Sequence, residues 1–335
     1  MKSRTRSHLR WRRRALLSAA VIAGVTLATL SASPAEAYQL GPDLRFTNSA
    51  TGTYNGYTAP AGSSLLPSPW PNGTLDGTGS QLTVYTAATK QAGWPNPYSW
   101  STKAAAFVSV ADGTSSTARV QLNSANAYNG DDIYIGYAVY LPQAAATALP
   151  EFNNNLGTYL GISQVFGAPW TRSAPVSVGL RKENGVLYAV GTGPSPASTS
   201  DYVWKTPVQA DTWIRFVQHV RISQHPVSTT SNGQTIPGGL LETWVNGVKQ
   251  TIYKLPTTTD PNYDTTGQSM SADHTTAYIS TSNLDTTAAN GEQFYLDNYR
   301  SALNPTFNVP PSITLFQAGA RIGTTFNDVA PTATS

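Results

Sequence analysis

Beyond residue 100 the chain never sustains an apolar stripe of helical period with caps; short runs of alternating or continuous apolar residues recur instead. The clearest run is Asp132–Leu141. Ile133, Ile135, Tyr137 and Val139 fall on one face of an extended segment, and Tyr134, Gly136, Ala138 and Tyr140 on the other. Pro142 ends it, because proline has no N–H to give to a ladder. Between such runs stand clusters of Gly, Pro, Asn and Asp, the residues of tight turns.

Several further strands follow from the same reading. Pro175–Leu180 and Val186–Val190 flank Glu183-Asn184-Gly185, and Gly239–Val245 and Val248–Tyr253 flank Asn246-Gly247. Asn-Gly favours a two-residue hairpin turn. Ala105–Val110 and Ala118–Leu122 read as a pair joined by Ala111-Asp112-Gly113. Trp213–Ser223, Glu292–Arg300 and Ser312–Phe316 read as strands, with Ile322–Phe326 as a further candidate. Many antiparallel strands with regular turns predict an all-β fold, an antiparallel β-sandwich or jelly roll. Residues 105–335 are its expected core. Residues 38–104 are poorer in strand signals and are expected to add one terminal strand and long loops to the same domain, with a separate small domain as the alternative. The segment 226–238 reads as a loop.

Residues 1–37 have the layout of a cleaved export signal. Lys2, Arg4, Arg6, Arg10, Arg12, Arg13 and Arg14 precede an apolar run from Ala15 to about Leu30, and Ala35-Glu36-Ala37 offers a small-x-small cleavage site. Arg13-Arg14-Ala15-Leu16-Leu17 also resembles a twin-arginine signal, which exports folded proteins. The segment holds seven of the 21 basic side chains and one of the 18 acidic ones, leaving 14 against 17 in the mature chain. The basic balance therefore belongs to the signal, and a nucleic-acid partner is not expected. No later run is apolar enough to span a bilayer, so no membrane partner is expected after cleavage. The chain has no cysteine, so thiolate catalysis and cysteine metal sites are excluded. A secreted monomer that acts on an extracellular polysaccharide is the expectation.

The strong catalytic signatures are absent. There is no His-Glu-x-x-His zinc helix, no Gly-x-Ser-x-Gly elbow, no phosphate loop and no dinucleotide fingerprint. The Glu-x-Asp-x-x-Glu strand of sandwich-fold glycan hydrolases is missing too. Retaining hydrolysis needs two carboxyl groups about 5 Å apart.

A pattern spread along the chain remains. Arg119-Val120-Gln121-Leu122 precedes the tyrosine-rich strand that ends in Leu141-Pro142; Gln164-Val165-Phe166-Gly167, Trp213–Ser223, Thr243-Trp244-Val245-Asn246-Gly247 and Tyr295–Arg300 follow. Over roughly residues 100–330 this order resembles the concanavalin A-like polysaccharide lyases of the heparin-lyase and alginate-lyase type. Those carry Arg-x-Glu, Gln-x-His and Tyr-x-Lys-x-Gly-x-Tyr segments on three strands. The resemblance implies Arg119, Gln164 and Tyr299 as catalytic residues, and Gln121, Tyr295 and Arg300 as substrate-binding ones; His219, mid-strand in Gln218-His219-Val220, is a further substrate-binding candidate or a structural histidine. It implies β-elimination from a uronic-acid-containing polysaccharide. In that chemistry donors such as Arg or Gln neutralise the uronate carboxylate so that charge can develop on it. A tyrosine or histidine takes the neighbouring proton, and a tyrosine with a pKa near 10 needs a cation close by.

The chain departs from the pattern at key positions. Gln121 stands for the motif glutamate, Phe166 for the histidine, Tyr295 for the lysine and Asp297 for the glycine. These departures leave an alternative, a non-catalytic extracellular glycan-binding sandwich. No cofactor is expected. A structural calcium held by Asn129, Asp131 and Asp132 is an alternative to a solvated turn there. Trp94, Tyr98 and Trp100 are candidates for stacking on sugar rings, or for packing under a loop.

Overall fold

The computed structural model describes residues 53–54, 57–58, 72–76, 79–111, 117–152, 159–167, 174–194, 202–231, 233–258, 260–284, 291–301 and 310–330. The export segment lies outside them, so that reading stands as an expectation. Among the described residues no helix is long and apolar enough to cross a membrane.

Two antiparallel sheets carry the fold. The front sheet has seven strands in the spatial order Tyr202–Pro207, Val186–Thr192, Val176–Glu183, Leu160–Gly167, Glu292–Ser301, Thr117–Ala127 and Asn72–Asp76. The back sheet has nine. Its central members run Leu240–Val245, Trp213–Arg221, Asp132–Tyr140, Ser312–Gly323, Lys103–Val110 and Gln81–Thr86. The inner faces meet in one apolar core. Val120, Leu122, Leu160, Val178, Leu180 and Leu296 of the front sheet pack with Phe107, Ile135, Tyr137, Phe216 and Leu315 of the back. Each such side chain contributes roughly 1.5–3 kcal/mol by leaving water. This is the antiparallel β-sandwich that alternation and turn chemistry predict.

Both expected Asn-Gly hairpins form. Asn184 and Gly185 have φ of 51° and 78°, and Asn246 and Gly247 have 51° and 83°. Positive φ at both central residues is the turn whose twist matches its flanking strands. The expected pairing of Ala105–Val110 with Ala118–Leu122 does not form. Lys103–Val110 has both edges taken by back-sheet strands, and Thr117–Ala127 belongs to the front sheet, so the two lie in different sheets. A turn signal reverses the chain without fixing which sheet receives it. Ser312–Gly323 is one long strand that absorbs Ile322, and Thr325 then caps a short helix, Phe326–Val329, through a capping box with Asp328. The segment 226–238 holds a small ribbon, Thr229–Ser231 against Gln234–Ile236. Asn72–Asp76 and Gln81–Thr86 place one edge strand in each sheet, where a single strand was expected from residues 38–104.

Candidate active site

Five of the predicted site residues, Arg119, Gln121, Gln164, Tyr295 and Tyr299, share the outer face of the front sheet. Strand register sets all but Gln121 in two rows that cross the sheet. One row runs Tyr202, Thr192, Ser177, Gln164, Tyr295. The other runs Lys205, Val190, Gly179, Gly161, Tyr299, Arg119. Residues paired across a sheet share a face. Val120, Leu122 and Leu296, which alternate with these positions, point into the core, so Arg119, Gln121, Tyr295 and Tyr299 point away from it. Adjacent strands lie about 4.8 Å apart, which puts Arg119, Tyr299 and Gln164 on three consecutive strands within reach of one ligand.

Asp297 lies between the two rows, directly opposite Gln121. It is 1% exposed. Burial drives its pKa up to about 7, against the amides of Gln121 and Gln164 and the charge of Arg119, which favour the ionised form. Oδ1 of this carboxyl has no hydrogen-bond partner, so the two amides engage the group without satisfying it. Tyr295, 6% exposed, donates to Gln293 Oε1 at 2.9 Å; burial, with Asp297 adding to it, raises its pKa.

A bulge shapes this spot. Leu296 pairs with Ser163 and Tyr299 with Gly161, so two residues, Asp297 and Asn298, stand against the single Ile162. Bulges bend a strand and re-aim its side chains, and they free backbone groups from the ladder. Here the freed carbonyls are met from the opposite sheet. Gln317 Nε2 donates to Ile162 O at 3.1 Å and to Asp297 O at 2.7 Å. Asn298 Nδ2 likewise donates to Phe107 O and Ile313 O, at 2.7 and 2.9 Å.

Two paired glycines form the floor beside the bulge. A Cβ on Gly161 would sit 3.4 Å from Tyr299, and one on Gly179 would fall 2.2 Å from the ring of Tyr159. The missing side chains let both tyrosines lie close to the sheet. The Tyr159 hydroxyl lies against Ser177 and Thr192, which share a 2.7 Å hydrogen bond; burial raises its pKa.

Arg300 and His219 are elsewhere, and their assignment to substrate is corrected. Arg300 follows Tyr299 directly and so faces inward. It is 1% exposed, and its guanidinium donates to Ser109 Oγ, Ser109 O, Pro310 O and Pro311 O. Burial lowers its pKa to about 10. His219 sits on the outer face of the back sheet. It is stacked on Tyr134 at 4.1 Å and bonded to Glu242 Oε2 at 2.7 Å and Asp132 Oδ1 at 2.5 Å. The calcium reading fails for the same reason. Asp132 is committed to His219 and Arg221, and Asp131 accepts from the Tyr128 N–H. Among the described residues no cluster of His, Asp and Glu is set to hold a metal. Trp94 packs edge-on to Phe316 and Tyr98 edge-on to Trp100, which is 6% exposed, so these rings pack over the back sheet.

Asp297 was read from sequence only as a departure from the motif, and Tyr159 and Gln317 were not singled out. For Asp297 the signal was present, since it shares the odd-numbered face with Tyr295 and Tyr299. Tyr159 and Gln317 act through a glycine gap and a bulge that periodicity does not reveal.

The family model described as polysaccharide lyase matches residues 75–294. The chain belongs to the polysaccharide lyase family. No match was found among curated proteins. Solved structures similar to this lyase-family chain include an endo-β-1,4-glucuronan lyase from the fungus Trichoderma reesei, with 13% identity, TM-score 0.45, and 78% of this chain and 93% of that one covered. An alginate lyase from Pseudomonas aeruginosa shows 10% identity, TM-score 0.37, and 70% and 88% coverage. A β-glucanase catalytic domain from Podospora anserina shows 11% identity, TM-score 0.35, and 67% and 73% coverage.

Proposed function

We propose that this protein is a secreted polysaccharide lyase that cleaves a uronic-acid-containing polymer by β-elimination on the outer face of the front sheet. The observation that carries the reading is the register that sets Arg119, Gln164 and Tyr299 on three adjacent strands around a buried Asp297. Export rests on residues 1–37, and the family membership supports a polysaccharide as substrate.

In this mechanism Arg119, Gln121 and Gln164 receive the uronate carboxyl. Tyr299 removes the proton on the adjacent ring carbon, and negative charge spreads into the carboxyl, where these donors stabilise it. The electron pair then forms the ring C=C bond as the bond to the 4-linked oxygen breaks, and that oxygen takes a proton from the tyrosine hydroxyl. Phe166 stands where the family motif has histidine, so one tyrosine serves as base and then as acid. Asp297 is neutral below about pH 7, which spares an arriving uronate the repulsion of a second carboxylate.

The similarity to a glucuronan lyase and an alginate lyase makes β-1,4-glucuronan and alginate the first polymers to try. The protein incubated with each should generate ultraviolet-absorbing unsaturated ends. Retention on the polymers without any such product would instead support the non-catalytic glycan-binding reading, which Phe166 and Asp297 favour.

A further inference from the structure

The far end of the same face holds a cavity of about 540 Å³, with Glu151, Phe152, Arg181, Glu183 and Tyr202 in its lining. Register places it on the candidate active face. Tyr202 ends the row that contains Gln164, and Arg181 is two residues beyond Gly179, which pairs with Gly161 opposite Tyr299. Two strand spacings, roughly 10 Å, separate the Arg181 strand from the Tyr299 strand.

Arg181 is 2% exposed, with its guanidinium 4.1 Å from the Phe152 ring centre and 4.8 Å from that of Tyr202. Its Nε lies 2.5 Å from Glu183 Oε1, and Lys205 Nζ lies 2.8 Å from Glu183 Oε2. Both Glu183 oxygens are thus held by cations, and Oε1 is buried away from the cavity. Glu151 adds a second carboxylate, which accepts from the Gly185 N–H at 3.1 Å. The lining thus carries two carboxylates against one guanidinium, and both Arg181 and the nearby Lys205 are already engaged by Glu183.

We infer that this cavity is a second sugar subsite, one that reads hydroxyl groups and a ring face rather than a carboxylate. A uronate carboxylate would meet Glu151 and Glu183 unfavourably, whereas a sugar hydroxyl can donate to the Glu151 carboxylate, which has acceptor capacity beyond its bond from the Gly185 N–H. Phe152 and Tyr202 offer aromatic walls, the usual lining of a small-ligand site with a few placed polar groups. The inference rests on the reading of this face as a polysaccharide groove.

Affinity electrophoresis of the full chain through gels containing hyaluronan or chondroitin, which alternate a uronate with a neutral sugar, tests it without requiring turnover. Phe152→Ala and Tyr202→Ala should weaken retention about tenfold, Phe152→Trp should preserve it, and thermal unfolding should show each variant folded. Where the wild type also cleaves the polymer, the alanine variants should lose kcat/KM on long chains and keep it on the shortest cleaved oligomer. Retention weakened by these changes in a protein that cleaves nothing would support the subsite while removing the lyase reading. Unchanged retention in the folded alanine variants, no retention of the wild type on either polymer, or equal loss on all chain lengths would overturn it.

Discussion

Asp297 faces Gln121 directly across the ladder, and its carboxyl is buried against the Gln121 and Gln164 amides with Oδ1 left without a partner. The group is the least comfortable in the candidate site, and its protonation should be readable in stability. Its folded pKa, about 7, lies above the unfolded value of 3.8. Its contribution is therefore fully present below pH 3.8 and is lost as pH rises through 7, at up to about 1.4 kcal/mol per pH unit. Asp297→Asn, which mimics the neutral acid, should flatten the stability profile between pH 4 and pH 7 and be more stable than wild type at pH 8. Urea midpoints across that range would contradict the assignment if the two profiles ran parallel.

Gln317 holds the bulge from the opposite sheet. Gln317→Leu strips the donor from two buried carbonyls, those of Ile162 and Asp297. The expected loss is about 2–6 kcal/mol of stability, from roughly 1–3 kcal/mol per unsatisfied group. Because Asp297 and Tyr299 are aimed by that bulge, kcat should fall more than KM rises. A variant as stable and as active as wild type would show that the bulge holds itself.

Gly179→Ala introduces a methyl group 2.2 Å from the Tyr159 ring. Overpacking of this kind costs about 1–3 kcal/mol. Tyr159 must move, so the groove floor changes and kcat/KM should drop about tenfold. Double substitution with Tyr159→Ala should recover most of the stability loss, and additive losses would argue against the contact.

His219 belongs to a charge cluster on the opposite sheet, so His219→Asn should leave kcat/KM unchanged. Burial pulls the His219 pKa down, but its bonds to Asp132 and Glu242 outweigh this and raise it above 6.5. Its contribution is thus present below pH 6.5 and is lost as pH rises through the raised value. Burial opposes ionisation of Glu242 as well, yet His219, Lys249 and Thr276 hold its pKa down to about 2. That contribution is present above the usual 4.5 and is lost as pH falls through about 2. The His219→Asn penalty should therefore be larger at pH 5.5 than at pH 9. An equal penalty at both would mean the cluster is held by packing.

The sandwich was legible because alternation in Asp132–Tyr140 and the Asn-Gly pairs at 184–185 and 246–247 are local signals. The placing of Lys103–Val110 and Thr117–Ala127 in different sheets was not, because partner choice is decided by strands far away in sequence. Arg119, Gln164 and Tyr299 came from the family-like order of segments, and their common face follows from register. The misplacement of Arg300 was avoidable. Neighbours on a strand point to opposite faces, so Tyr299 and Arg300 cannot both meet one ligand. His219 was ambiguous, since mid-strand position does not say which sheet or face carries the residue.

The central claim is elimination by Tyr299 with Arg119 and Gln164 as carboxyl partners. The most direct measurement is the initial rate of unsaturated-end absorbance on the polyuronate the wild type cleaves, for wild type, Tyr299→Phe and Gln164→Ala. Tyr299→Phe should lose at least about a hundredfold in kcat, the lower range for a positioned acid–base group, with KM nearly unchanged. Gln164→Ala should lose kcat as well. A Tyr299→Phe protein that produces unsaturated ends at the wild-type rate, or a wild type that produces none from any uronic-acid polymer, would contradict the account.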